Sequence, residues 1–443
     1  MKRKIEQSLL AWRQDVDRFP LLVRGARQTG KTYLIEHFGQ QHFKQMVVIN
    51  FELQPQLKQC FSSLQTDEII SKLQLLLNVT LSDSDTLLFL DEIQECPSAI
   101  MSLRYFREQK PGFPVIGAGS LLEFALNAPD FKMPVGRVHF LYLEPLSFDE
   151  YLQARGQDQL RNYLETVTPQ QPPDGVIHDR LMELMKEYFL VGGMPAAVAS
   201  FCQHQDFMKV QLILGGLHQT FRSDFGKYSR SGQYVQIGQA YDAIPQLIGN
   251  QIKYVQLDPH SKSRDVKNAL NLLSMAGLIL LIYATDASLP LGAQINPLKF
   301  KINMLDVGLM QHVCGIASTL MLSKDIVSIN SGALAEQFVG QELRCLQSDH
   351  EPHALYYWVR EQRSSNAEVD YLTTMGGQII PIEVKSGKTG RLRSLRIILE
   401  EKKLPLGVRL SLDTLSVVDN ILTVPLYMIN QTARLVARES GVV

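Results

Sequence analysis

The chain has 443 residues, 45% hydrophobic and 20% charged, with a formal net charge of −1 at pH 7. That length exceeds one ordinary core and implies two or three domains, and the composition excludes disordered and fibrous classes. A balanced charge excludes recruitment of nucleic acid or an anionic membrane by a global field, so a polyanionic partner has to meet a local patch.

Cys60, Cys96, Cys202, Cys314 and Cys345 are odd in number, widely spaced and without a C-x-x-C pair. They fit scattered thiols in a reducing compartment better than a disulfide framework or a zinc ribbon. The basic start Met1-Lys2-Arg3-Lys4 runs into Gln7, Arg13, Gln14 and Asp15, so no signal-peptide apolar region forms. No run of about 18 apolar residues occurs, so a cytoplasmic protein with no membrane partner is expected.

In chain order, the first 150 residues alternate short apolar runs with helical spacing. Pro20 to Val23, Met46 to Phe51, Thr86 to Leu90, Pro114 to Ile116 and Val138 to Leu143 predict strands. Lys31 to Phe38 and Glu68 to Leu77 predict helices between them. This order predicts an α/β fold with a parallel sheet.

Between the first strand and first helix lies Gly25-Ala26-Arg27-Gln28-Thr29-Gly30-Lys31-Thr32, a full match to G-x-x-x-x-G-K-[ST]. Glycines let successive N–H groups point at phosphate oxygens, and the helix N-terminus adds its positive end. Lys31 suits the β- and γ-phosphates and the Thr32 hydroxyl a Mg²⁺ position, the pattern of a Walker A loop for ATP. Leu87-Leu88-Phe89-Leu90 then predicts a buried strand that ends in Asp91-Glu92, as a Walker B strand does. Asp91 is the expected Mg²⁺ partner, and Glu92 the expected base that polarises the attacking water. Ser120 ends the next strand and is a candidate sensor of the γ-phosphate. Arg137 precedes the fifth strand, where an arginine can complete a neighbour's site in a homo-oligomer.

Pro169 to Gly175 is a proline-rich break. Beyond it, Asp179 to Phe189 and Phe207 to Arg222 predict helices, with a sharp turn at Gly192-Gly193-Met194-Pro195. Arg264 to Ser274 is an amphipathic helix, followed by strands Leu278 to Tyr283 and Phe300 to Met304. Helices followed by a two-stranded wing predict a winged-helix middle. From Gly332 a helix with Ala335, Phe338, Val339 and Leu343 opens a separate α/β unit. Its expected strands are Leu355 to Val359, Glu368 to Thr373, Ile379 to Lys385, Val408 to Leu412 and Ile421 to Tyr427.

Gly376-Gly377 is a two-residue hairpin signal. It pairs residue 375 with 378, sets Asp370 opposite Glu383 and Glu368 opposite Lys385, and puts all four on one face. Two facing carboxylates with a nearby lysine suit a divalent-metal nuclease site, with Glu336 as a further ligand and Lys385 beside the water. The alternative is a cross-strand ion-pair ladder, although like charges directly opposed destabilise a sheet. Lys388, Arg391, Arg393 and Arg396 form a basic patch suited to DNA phosphates. From residue 331 onward, however, basic and acidic residues are equal in number, which offers no broad nucleic-acid footprint.

With these residues in place, the chain resembles bacterial and archaeal AAA+-type ATPases whose C-terminal part is the domain called DUF4143. The resemblance rests on Arg24 to Thr32, Leu90-Asp91-Glu92-Ile93-Gln94, Gly119-Ser120 and Gly136-Arg137 with Pro145-Leu146-Ser147-Phe148. It continues through Gly192 to Pro195, Asp306-Val307-Gly308-Leu309, Glu336 to Val339, Glu368 to Asp370 and Ile382 to Lys385. The tract before Ser120 reads Gly-Ala-Gly where the family more often has a threonine. The resemblance implies a P-loop AAA+ core over 1–165, a helical lid over 176–232, a winged-helix-like domain over 233–318 and a PD-(D/E)XK nuclease-like domain over 330–443. It implies ATP and Mg²⁺ at the first site and Arg137 as an arginine finger. Two functions follow as expectations: ATP hydrolysis coupled to a module acting on DNA, or a signalling or scaffold ATPase whose nuclease-like fold is inactive and binds a protein.

Overall fold

The five apolar runs of the N-terminal third become one parallel sheet. The computed structural model describes residues 1–81, 85–127, 136–228, 234–322, 331–361, 366–385 and 392–441. Its first strands are β1 (Leu21–Arg24), β2 (Gln45–Asn50), β3 (Thr86–Asp91), β4 (Val115–Ala118) and β5 (His139–Tyr142), in the order β2-β3-β4-β1-β5. Every neighbouring pair is parallel. Successive side chains leave a strand on opposite faces, and here both faces are covered. Leu88 and Leu90 enter one core with Val47, Ile49 and Val115, while Leu87 and Phe89 enter the other with Leu21, Val23 and Ile116. Each such side chain contributes about 2 kcal/mol on burial, which favours the register that keeps them inside although β3 ends in the buried carboxylate of Asp91. Helices Lys31–His42, Thr66–Leu77 and Pro97–Gln109 cross between the strands. This compact unit comprises Met1–Glu144 with Met275–Gly277 and Ser348–Pro352.

The second compact unit holds Pro145–Ser274, Leu278–Gln347 and His353–Val443. Its sheet has eight strands: β6 (Ile279–Thr285), β7 (Ile295–Met304), β8 (Tyr356–Arg360), β9 (Ala367–Met375), β10 (Gln378–Lys385), β11 (Gly407–Ser411), β12 (Ser416–Val418) and β13 (Ile421–Pro425). They run in the order β12-β13-β11-β10-β9-β8-β6-β7. Here the structure departs from the expected domains. The would-be wing, β6 and β7, does not stand apart: β6 pairs with β7 on one edge and in parallel with β8 on the other. The segments expected as a winged helix and as a separate C-terminal unit thus share one sheet, and the compact division falls after Glu144. A two-stranded hairpin leaves its outer edges unpaired, and joining a larger sheet removes one of them.

Two motifs with no evident chemistry prove to be one structural corner of this unit. Asp306, fully buried, accepts from Gly193 N at 2.6 Å, Leu309 N at 3.0 Å and Gln341 Nε2 at 3.3 Å. A Cβ at Gly192 would lie 2.2 Å from Asp306 Oδ1, which is why the turn carries glycine. Among the described residues, no helix is long and apolar enough to cross a membrane.

Candidate functional site

Parallel strands bring all their carboxyl ends to one edge of the sheet, and the polar residues of the N-terminal unit gather there. The chain turns from β1 into the helix Lys31–His42 through Gly25 at φ 141°, Gln28 at φ 66° and Gly30 at φ 91°. A Cβ at Gly25 would sit 2.3 Å from the Leu143 carbonyl oxygen, so only glycine fits that bend. Thr29 Oγ1 donates to Ala26 O at 2.9 Å and stiffens the loop. Lys31 is 7% exposed and folds back onto it, its Nζ donating to Gly25 O at 2.9 Å and Ala26 O at 2.8 Å. Burial lowers its pKa to about 8, although Glu92 and Asp91 nearby pull the other way.

Across β4, the end of β3 supplies the carboxylates. Thr32 Oγ1 donates to Asp91 at 3.1 Å, and Asn50 Nδ2, at the end of β2, donates to Asp91 Oδ2 at 2.9 Å. Burial raises the Asp91 pKa, Glu92 beside it adds to the rise, and these two donors oppose it. Thr32 and Asp91 together are hard oxygen donors of the kind that Mg²⁺ takes, so they fit that cation. Glu92 leaves the strand in a left-handed conformation, φ 48° and ψ 46°. Its Oε2 accepts from Gln94 Nε2 at 2.6 Å and from Ser120 Oγ at 3.4 Å. A Cβ at Gly119 would fall 1.9 Å from Gln94 Oε1, so this glycine makes the room in which the Gln94 amide lies.

The structure therefore brings together Gly25 to Thr32, Asp91, Glu92 and Ser120. Arg137 lies half-exposed, its Nε donating to Glu108 Oε1 at 3.2 Å. Sequence reasoning passed over Asn50 and Gln94 as site residues. The first had a signal, a polar residue ending an apolar strand; the second was quoted only as part of a motif.

The C-terminal carboxylates meet differently from the expectation. β9 and β10 pair in the predicted register from Gln378↔Met375 to Ile382↔Tyr371. On the other edge of β9, however, Tyr356 faces Leu372 whereas Trp358 faces Val369, so Asp370 and Tyr371 together oppose one residue of β8. Such a bulge re-aims side chains. Asp370 Oδ2 accepts from the backbone N of Val384 at 2.8 Å instead of simply facing Glu383. Glu383 pairs with Lys385 at 2.5 Å. Into the remaining space comes a residue that sequence reasoning placed on a wing. Lys301 of β7, 2% exposed, sets its Nζ 2.6 Å from Glu368, 3.3 Å from Asp370 and 3.5 Å from Glu336. Burial raises the pKa of Glu336 and of Glu383, and Asp370 adds to both. Three surrounding carboxylates hold the Lys301 pKa well above that of a free lysine despite its burial. Among the described residues, no cluster of three or more His, Cys, Asp or Glu is arranged to hold a metal ion. Arg393 and Arg396 are exposed on the helix Arg393–Lys402, while Lys388 and Arg391 lie outside the described residues.

Residues 17–152 match the model of an AAA domain, 331–429 that of the domain of unknown function DUF4143, and 182–320 that of the domain of unknown function DUF8612. No curated protein matches the chain. Among solved structures, a Walker-type ATPase of Pyrococcus abyssi is 16% identical, with 71% of this chain and 95% of that one covered and a TM-score of 0.45. The ORC2 protein of Aeropyrum pernix, in ADPNP and ADP complexes, is 13% identical over 73% and 96%, with a TM-score of 0.35. The RuvB Holliday junction branch migration motor of Thermotoga maritima is 15% identical over 66% and 90%, with a TM-score of 0.29. Likenesses this distant carry no argument about activity. Residues 17–152 are thus similar to AAA domains and carry the strand–loop–helix turn of a P-loop at Gly25 to Thr32, and residues 331–429 are similar to DUF4143 domains.

Proposed function

We propose that the chain binds ATP and hydrolyses it with Mg²⁺, and that this turnover acts on the C-terminal module. The observation that supports it best is Lys31 resting on two carbonyls beside the Thr32–Asp91 contact and the Glu92 carboxylate. The N–H groups from Gly25 to Thr32 wrap the phosphates, and the Lys31 ammonium exchanges its carbonyl partners for terminal phosphate oxygens. Thr32 and Asp91 would hold Mg²⁺, which supplies charge neutralisation on those oxygens. Glu92, kept in place by Gln94 and Ser120, takes the proton of the attacking water. Arg137 of one copy would complete a neighbour's site in a homo-oligomer. Its release from Glu108 is then a condition of assembly, and ATPase rate per subunit should climb with protein concentration; a flat dependence rejects that role. The central test is nucleotide binding and turnover by the purified chain. Glu92→Gln should bind Mg·ATP and not turn it over, and full turnover by Lys31→Ala would sink the reading.

For the module itself, a specific observation favours one of the two expected functions. Asp370, Glu383, Glu336 and Lys385 support metal-dependent cleavage of DNA held by Arg393 and Arg396. Lys301 among those carboxylates favours the alternative, a partner-binding module that does not cut, and we adopt it. Plasmid and single-stranded DNA incubated with Mg²⁺ or Mn²⁺ and ATP should stay intact; cleavage that Asp370→Ala removes would restore the nuclease.

A further inference from the structure

Four carboxylates, Glu336, Glu368, Asp370 and Glu383, meet two ammonium groups, Lys301 and Lys385, inside the second unit. Lys385 is engaged with Glu383, a one-to-one pair on a single strand. Lys301 faces the other three from β7, which β6 and β8 separate from β9 in the sheet. Its Nζ lies over the Tyr357 ring, 5.4 Å from the ring centroid. The pocket is closed near Glu336, where a Cβ on Gly249 would come within 3.0 Å of Oε1. Glu383 is 5% exposed and its Oε2 has no hydrogen-bond partner among the described residues. Without Lys301, four carboxylates would face the single Lys385 ammonium, the condition under which a cation is held.

We propose that the Lys301 ammonium is the resident cation of this cluster, so that Lys301 and a divalent metal ion are mutually exclusive occupants of the same carboxylates. A metal ion bound by Glu336 and Asp370 would place two charges within about 4 Å of a third that has no solvent to screen it. An ammonium tethered to β7 also pays no entropy of capture on each occasion, whereas free Mn²⁺ has to be desolvated and enclosed. The native cluster is therefore metal-free, and a metal site lies latent beneath the lysine. This inference is independent of the nucleotide site, and the test below contains no nucleotide.

Mn²⁺ is titrated into the full chain and followed by its electron paramagnetic resonance signal, for wild type, Asp370→Asn, Lys301→Met and Lys301→Met/Asp370→Asn. Wild type and Asp370→Asn should bind Mn²⁺ alike, while Lys301→Met gains one site at least about ten-fold tighter, and the double variant loses it. Mn²⁺ should also raise the melting temperature of Lys301→Met and not that of wild type. Wild-type binding that Asp370→Asn removes overturns the proposal, and that arm needs no folded lysine variant. A folded Lys301→Met that gains no Mn²⁺ site overturns it as well.

Discussion

Two buried lysines among carboxylates differ in what holds them. Lys31 donates to two neutral carbonyls of its own loop, and burial brings its pKa down to about 8. Lys301 faces three carboxylates, which hold its pKa well up against the same burial cost. A carbonyl contact is weak enough to be exchanged for a phosphate, whereas a buried ammonium held by three carboxylates is costly to withdraw. The first arrangement waits for a ligand; the second already contains its counter-ion.

Glu92→Gln is the variant expected to show the largest effect, a fall in turnover of about 10²–10⁴-fold with Mg·ATP affinity retained, read by steady-state kinetics against equilibrium binding. Equal loss of affinity would mean that Glu92 organises the loop instead of the water. Next comes stability. Lys301→Ala leaves Glu336 and Asp370, both largely buried, and the one-third exposed Glu368 without their cation and should cost about 3 kcal/mol in urea unfolding, while Lys31→Ala gives up only carbonyl contacts and should cost about 1 kcal/mol or less. Equal costs would erase the distinction between the two lysines.

A smaller effect is expected next to Glu92. Gln94→Ala should lower kcat about ten-fold with little change in KM, because it removes a positioning contact. Gly119→Ala should do the same, since its methyl would displace the Gln94 amide. A pure KM effect would assign Gln94 to nucleotide binding. The mildest test is pH. The Lys31 pKa in the free protein is lowered, so the ammonium that phosphate needs is present below pH 8 and lost above it. ATP affinity should then weaken by at most about ten-fold per pH unit above pH 8, while the Lys301 cluster, with its raised pKa, stays intact. Constant affinity up to pH 10 would show that Lys31 is not titrating.

The first site was legible because its parts are local. The Gly25 to Thr32 loop, the run ending in Asp91-Glu92 and Ser120 each terminate a parallel strand, and parallel strands deliver their ends to one edge whatever the detailed order. Asn50 follows by the same rule, and Gln94 lies two residues beyond Glu92. The hairpin register of β9 and β10 was equally readable, since two glycines set it. In the cluster, the residue types were read and their surroundings were not. Lys301 alternates with Phe300 and Ile302, a pattern that ordinarily turns the charge to solvent.

What the sequence determined by itself, then, is the Gly25 to Thr32 turn, the strand that ends in Asp91-Glu92 and the strand–helix order that joins them, because each depends on neighbours within a few residues. Tertiary structure decided the fate of the C-terminal carboxylates. Lys301 stands 69 residues from Asp370 in the chain, and they meet through the β6–β8 pairing and the bulge at Asp370. Long-range strand pairing is set by how whole faces pack, and a local window of residues carries no record of that choice.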